Sequence, residues 1–202
     1  MAAGLREVLE LGIAGSGHVS MQACGIKPKV FLLNETFSMD ELCLRWYQLA
    51  AFMPALHSMH DALGSNATLP HGFSKYTYTS WVRRALQRRA KLAPYMYTQM
   101  YLATLKGTPD SGIPLVRPLF VEFPDDLHLN NDFFVWNQFM FGQAVLVNPV
   151  VEPEARDQYS KTFSALPDDS VPTYMAKFKI EISSRDHCIL GQNFNTLPPP
   201  HF

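Results

Sequence analysis

The strongest constraint on this chain is a long helical pattern that stops at one defined point. From Tyr76 to Lys106, Val82, Leu86, Ala93, Tyr97 and Met100 recur at helical spacing, and Trp81, Ala85, Leu92 and Met96 widen the stripe. Pro94 lies inside it and predicts a kink. Gly107 and then Pro109 end it, because glycine accepts the left-handed cap and proline cannot continue the ladder. The residues from Ile113 to Pro124 are apolar, β-branched in places and punctuated by prolines, so they read as extended chain.

A length of 202 residues accommodates one large domain or parts of two. Hydrophobic residues make up 47%, ample for a core. The formal net charge of −1 gives no bulk electrostatic case for nucleic acid or anionic membrane. No apolar run approaches the roughly 20 residues of a membrane span. The first residues, Met1 to Glu7, lack the basic and long apolar regions of a signal peptide. Against a cytosolic reading stand two acceptor sequons, at Asn34 and Asn66. Three cysteines, Cys24, Cys43 and Cys188, leave one over in any pairing.

Leu5, Val8, Leu9 and Gly12 share a helical face. Ala14 to Gly17 is a turn; a phosphate-binding loop is set aside because no strand precedes it and no Lys-Ser/Thr follows. His18 to Cys24 reads as a short strand. Ser38 and Glu41 form a capping box that opens a helix through Leu42, Trp46 and Leu49. Asp40 and Glu41 have the look of a paired-carboxylate site, but at a helix start they favour the dipole, which is the structural reading. Pro54 ends this helix. His57, His60 and Asp61 suggest a metal or acid–base site, although residues three apart on a strand face opposite sides. Arg83, Arg84, Arg88, Arg89 and Lys91 read as a solvated or salt-bridged helix face. Val145 to Val151 reads as buried strand, and Met175 to Ile182 as one alternating run. No internal repeat appears.

Several of these stretches also carry fixed residues in a specific order. They are Leu92-x-Pro94-Tyr95-x-Tyr97-Thr98, then Val116-Arg117-Pro118-Leu119-Phe120-x-Glu122-Phe123-Pro124, then Gln138-Phe139-x-x-Gly142 running on to Val147-Asn148-Pro149-Val150. Together they resemble the family 31 glycoside hydrolases, the α-glucosidase group. The family's Gly-Ala-Asp-x-Cys-Gly, at the end of a barrel strand, is matched by Ser20-Met21-Gln22-Ala23-Cys24-Gly25. Gln22 stands where the family has an aspartate lining the sugar pocket. Its carboxamide still hydrogen-bonds a hydroxyl but carries no charge. The family's Phe-x-Pro-x-x-Arg-x-His is disturbed: without a gap His57 falls on the arginine and Met59 on the histidine, whereas one inserted residue makes His60 the sugar-contacting histidine. The resemblance is strong from Cys24 to Pro153 and is not visible from Glu154 onward.

The resemblance implies an α/β fold: the last βα units of a (β/α)₈ TIM barrel over residues 1–112, the start of an all-β sandwich over 113–153, and a divergent tail, 154–202, expected to be poorly ordered. It also implies Gln22 and His60 as substrate-binding residues and a Cys24–Cys43 disulfide, with Cys188 spare and free buried thiols as the alternative. Asn34 and Asn66 are the expected glycosylation sites. The implied parent activity is hydrolysis of α-glycosidic bonds, with no metal or organic cofactor and an α-linked oligosaccharide or glucoside as partner. The implied compartment is the secretory pathway, lysosomal or extracellular. The family's nucleophile motif, Trp-x-Asp-Met-Asn-Glu, and its Gly-Asp-Asn acid/base motif do not occur in these 202 residues. No catalytic residue is therefore assigned, and this chain alone is expected to be inactive and poorly stable. The competing class is a non-catalytic, family-derived carbohydrate-binding or interaction protein.

Overall fold

The computed structural model describes residues 1–24, 39–58, 69–73, 75–126, 129, 135–150, 179–181 and 188–192. Helix α1 (Ala2–Ile13) buries Leu5, Val8, Leu9 and Gly12, the four positions its periodicity marks. Its C-terminus explains the Ala14–Gly17 turn. The Ser16 amide donates to the Leu11 carbonyl and the Gly15 amide to that of Gly12, with Gly15 at φ +97°. This is the Schellman arrangement, which satisfies carbonyls the helix leaves over.

Strand β1 (Ser20–Gln22), helix α2 (Met39–Ala50) and strand β2 (Ala55–His57) follow. The two strands pair in parallel, Ser20 with Ala55, Met21 with Leu56 and Gln22 with His57. A parallel pair needs a crossover, here built on α2. The sequence pattern assigns α2 one apolar face, Leu42, Trp46 and Leu49. Instead Cys43, Leu44, Arg45, Tyr47, Gln48, Leu49 and Ala50 are all buried, whereas Leu42 and Trp46 are only partly so. The helix is enclosed on nearly every side, as hydrophobic elements inside larger assemblies are.

Helix α3 (Tyr76–Thr104) continues through Pro94 and is followed by Gly107 at φ +81°. Its inward face differs from the sequence reading. Val82, Ala85 and Met96 are buried, with Tyr78, Leu86, Leu92, Tyr95 and Met100 partly buried beside the core. Tyr97 is 75% exposed, and Ala93 also faces out. The basic run is also divided. Arg83 and Arg84 are exposed, but Arg89 turns inward, donating to the carbonyls of Ala51 (3.2 Å), Met53 (2.5 Å) and Pro54 (2.9 Å). Those carbonyls belong to the turn just beyond α2, where a cation is favoured by both the dipole and the free acceptors.

Strand β3 (Val116–Arg117) begins a five-stranded sheet, and helix α4 (Leu119–Glu122) follows immediately. The extended reading of Ile113–Pro124 therefore fails at 119–122. There the Phe123 amide donates to the Leu119 carbonyl, and Glu122 accepts from the buried Arg117 at 2.6 Å, holding the turn closed. Strands β4 (Phe139–Phe141), β5 (Val145–Pro149), β6 (Lys179–Glu181) and β7 (Cys188–Gln192) complete the sheet in the order β3-β4-β5-β7-β6, all pairs antiparallel. The sequence reading has no strand at 188–192; here that stretch pairs with β5 along its length. Period-two alternation divides the sheet. Val116, Phe139, Phe141, Val145 and Val147 join the core containing the helices, while Met140 and Leu146 are buried outside that cluster.

The junction of helices and sheet is polar as well as apolar. Tyr95 Oη donates to the Phe141 carbonyl at 3.1 Å and accepts from the Ala144 amide at 3.0 Å, thus spanning the β4–β5 turn. Gln99 Oε1 accepts from the Gln143 amide at 3.2 Å. Gly142 sits in that turn at φ +62°, and a Cβ there would lie 2.2 Å from the Tyr95 hydroxyl. Both facts require glycine.

Two outcomes are expected. Replacing Arg89 with Met should destabilise the chain by about 2–3 kcal/mol, because charge-assisted hydrogen bonds are lost and their carbonyls left behind. Lys should recover only part, being a point charge rather than a fork. Urea titration measures both, and an unchanged midpoint in Arg89→Met would refute the capping role. The second concerns pH. Burial pushes the Tyr95 phenol above its ordinary value of 10.0, against the opposing pull of the Ala144 amide; burial likewise raises Tyr47, opposed by its hydrogen bond to Ser58. The unfolded chain then loses these protons first. Stability from this source is complete below about pH 10 and falls as pH rises through the folded values. Tyr95→Phe should make the alkaline limb of a melting-temperature profile shallower, while lowering stability at pH 7 by about 1–2 kcal/mol through the lost hydrogen bonds.

Candidate functional site

In barrels of parallel strands, chemistry sits at the strands' C-terminal ends. Here those ends are Gln22 on β1 and His57 on β2, register partners across the parallel pair. Side chains alternate along a strand. Met21 and its partner Leu56 pack toward the helices, so Gln22 and His57 stand together on the opposite face. Gln22 is partly buried and His57 exposed.

Helix α2 pins both tips from behind. Cys24, two residues beyond Gln22, is disulfide-bonded to Cys43, with Cα atoms 4.8 Å apart. That separation suits a disulfide. Ser58, one residue beyond His57, accepts at 2.9 Å from the hydroxyl of the fully buried Tyr47. Cys43 and Tyr47 are four apart on α2 and therefore share a face. Between the tips the Ala23 amide donates to the His57 carbonyl at 2.8 Å. Cys24 adopts φ +61°, the one positive φ outside glycine among the described residues. Such a conformation persists only where its surroundings fix it.

Of the residues singled out from the sequence, Gln22, Cys24, Cys43 and His57 fall within this arrangement. His60, Asn34 and Asn66 lie outside the described residues, as do Ser38 and Asp61. Glu41 accepts from the buried Arg45 at 2.5 Å, one turn along α2, consistent with the structural reading of the Asp40–Glu41 pair. Arg45 also donates to the Val150 carbonyl at 3.3 Å, tying α2 to the chain just beyond β5. Sequence reasoning missed Tyr47 and Ser58. The four-residue offset of Tyr47 from Cys43 was the available signal, but without the β2 register it had no partner. Among the described residues no group of three or more His, Cys, Asp or Glu is placed to hold a metal ion, and no helix is long and apolar enough to cross a membrane.

The structure thus holds a parallel β-α-β unit with polar strand tips, leading into an antiparallel sheet. The profile for the glycosyl hydrolases family 31 TIM-barrel domain matches residues 1–99, and that for the glycosyl hydrolase family 31 C-terminal domain matches residues 112–188. The chain belongs to glycosyl hydrolase family 31: it holds the end of the TIM barrel and C-terminal-domain sequence. The second match passes well beyond Pro153, where the sequence reading loses the family pattern. An uncharacterized family 31 glucosidase of Schizosaccharomyces pombe is 43% identical over 145 residues, 72% of this chain and 13% of that protein. Lysosomal α-glucosidase of Bos taurus is 36% identical over 148 residues, 73% of this chain and 14% of that enzyme. Neutral α-glucosidase C of Mus musculus is 38% identical over 147 residues, 73% and 14% respectively. Among solved structures, a family 31 dextranase of Flavobacterium johnsoniae complexed with isomaltotriose superposes with a TM-score of 0.60 at 28% identity, over 75% of this chain and 17% of its own. The chain thus spans about one seventh of the length of these curated relatives.

The tether between β1 and α2 yields a prediction. Replacing Cys24 and Cys43 together by Ala should lower stability by about 3 kcal/mol, the chain-entropy value for a loop of this size. The urea midpoint of the oxidised protein, with and without a reductant, measures it. A variant indistinguishable from the oxidised parent would show that the tether contributes nothing.

Proposed function

We propose that this chain supplies the last strand tips of the barrel, and the β domain after them, of an α-glucosidase that hydrolyses terminal α-glycosidic bonds of oligosaccharides. The observation that carries this reading is the site itself: Gln22 and His57 side by side at two strand ends, in a chain of family 31 whose relatives include lysosomal and neutral α-glucosidases. Gln22 and His60 are the proposed sugar contacts. Retaining glycosidases need two carboxylates flanking the scissile bond. Neither family carboxylate motif occurs in the 202 residues, so these residues alone bind sugar without cleaving it. The lysosomal relatives and the Cys24–Cys43 disulfide support a place in the secretory pathway; the neutral α-glucosidases among the relatives leave the compartment within it open. The proposed substrate class is α-linked glucosides; the dextranase complex makes isomalto-oligosaccharides as natural a probe as maltose.

One observation favours a second reading. Gln22 occupies the position of a pocket carboxylate, and a neutral amide there fits a carbohydrate-binding or interaction protein without turnover. Assay of the purified chain on maltose and an aryl α-glucoside should give no release of glucose or aglycone. Turnover abolished by an α-glucosidase inhibitor would overturn the inactivity of this chain. Turnover in a longer product carrying both missing motifs separates the enzyme reading from the second one.

A further inference from the structure

The pairing of β1 and β2 assigns a role to a residue that the sequence reading passed over in favour of His60. We propose that Gln22 and His57 form one preorganised polar pair that binds two neighbouring hydroxyls of a sugar ring, so that His57 is a sugar-binding residue. This rests on the sugar-pocket reading of the strand tips given above.

The geometry carries the argument. The two residues are register partners on adjacent parallel strands, whose backbones lie about 4.8 Å apart. They share the face turned away from the helices, because their neighbours Met21 and Leu56 pack toward the core. A diol offers two oxygens that each donate and accept. A carboxamide presents an acceptor oxygen and two N–H donors, and an imidazole adds two ring nitrogens capable of hydrogen bonding, so the pair can engage both oxygens of a diol. The tips are also fixed independently: β1 by the Cys24–Cys43 disulfide, β2 by the Tyr47–Ser58 hydrogen bond, and the two to each other by the Ala23 amide on the His57 carbonyl. Both external anchors come from one face of α2. Holding two polar groups on rigid elements, locked from behind, is what makes a binding constellation effective, since little ordering remains for the ligand to impose.

The test is NMR on the intact 202-residue chain, titrated with isomaltose and separately with maltose. The His57 ring signals and the Gln22 side-chain amide signals should move together, with one saturation curve. His57→Ala should weaken binding roughly 3- to 10-fold, the loss of one or two hydrogen bonds. His57 is exposed, so the variant should melt at the parent temperature, which separates binding from folding. If the Gln22 signals shift while those of His57 do not, and His57→Ala binds as the parent does, the pair is refuted and the sugar-pocket reading stands. If neither residue responds to either sugar, both fall.

Discussion

A buried helix depends on other elements for polar groups that its own ladder leaves over, and α2 is that helix here. Nearly all its residues from Cys43 to Ala50 are buried, including Arg45 and Gln48. Its partners are therefore distant in sequence. Arg89 of α3 covers the carbonyls of the turn where α2 ends, Arg45 reaches the carbonyl of Val150 beyond β5, and Tyr47 reaches Ser58 beyond β2. Removing either arginine would strand groups that water cannot reach, and that penalty exceeds the modest net value of any one hydrogen bond. The helices and the sheet accordingly share one core, in which Phe141 of the sheet packs edge-on against Phe52 of the α2–β2 turn, ring centroids 5.8 Å apart.

What the sequence makes legible is whatever one element decides by itself. The buried positions of α1 follow from 3.6-residue spacing, and strand β5 follows from the apolar run that opens at Val145. The family is legible because fixed Gly, Pro and aromatic positions recur in order. The same reading fails where a second element decides. Tyr97 and Ala93 belong to the helical stripe by spacing, yet the face that docks is the one carrying Arg89 and Tyr95. A charge run resembles a solvated surface unless one knows that a helix C-terminus lies opposite one of its members. The short helix α4 escapes notice because its closure depends on the Arg117–Glu122 pair rather than on propensity.

The candidate site divides along the same line. Gln22, Cys24 and Cys43 come from a motif whose spacing is local to one strand and one helix. His57 and Ser58 acquire meaning only through the register of β2 against β1, which no single strand encodes. Position along the sequence favoured His60 over His57; position across the ladder favours His57 as the neighbour of Gln22.

The clamp also explains how the chemistry of these tips can change while their geometry does not. The backbone around Gln22 is set by residues other than Gln22 itself: Ala23 through its amide, Cys24 through its disulfide and its left-handed φ, and Tyr47 through its hydroxyl. A side chain at position 22 is therefore free to be a carboxylate or a carboxamide, because the strand tip is held by other means. Exchanging one for the other removes a charge from the strand tip and turns one acceptor oxygen into an NH2 donor at the same place. A carboxamide offers neutral hydroxyls both a donor and an acceptor, whereas it gives a cationic or proton-transferring group no counter-charge. On the sugar-pocket reading proposed above for Gln22, a carboxamide in place of a carboxylate weighs against transition-state stabilisation far more than against ground-state sugar binding, since charge develops only in the former.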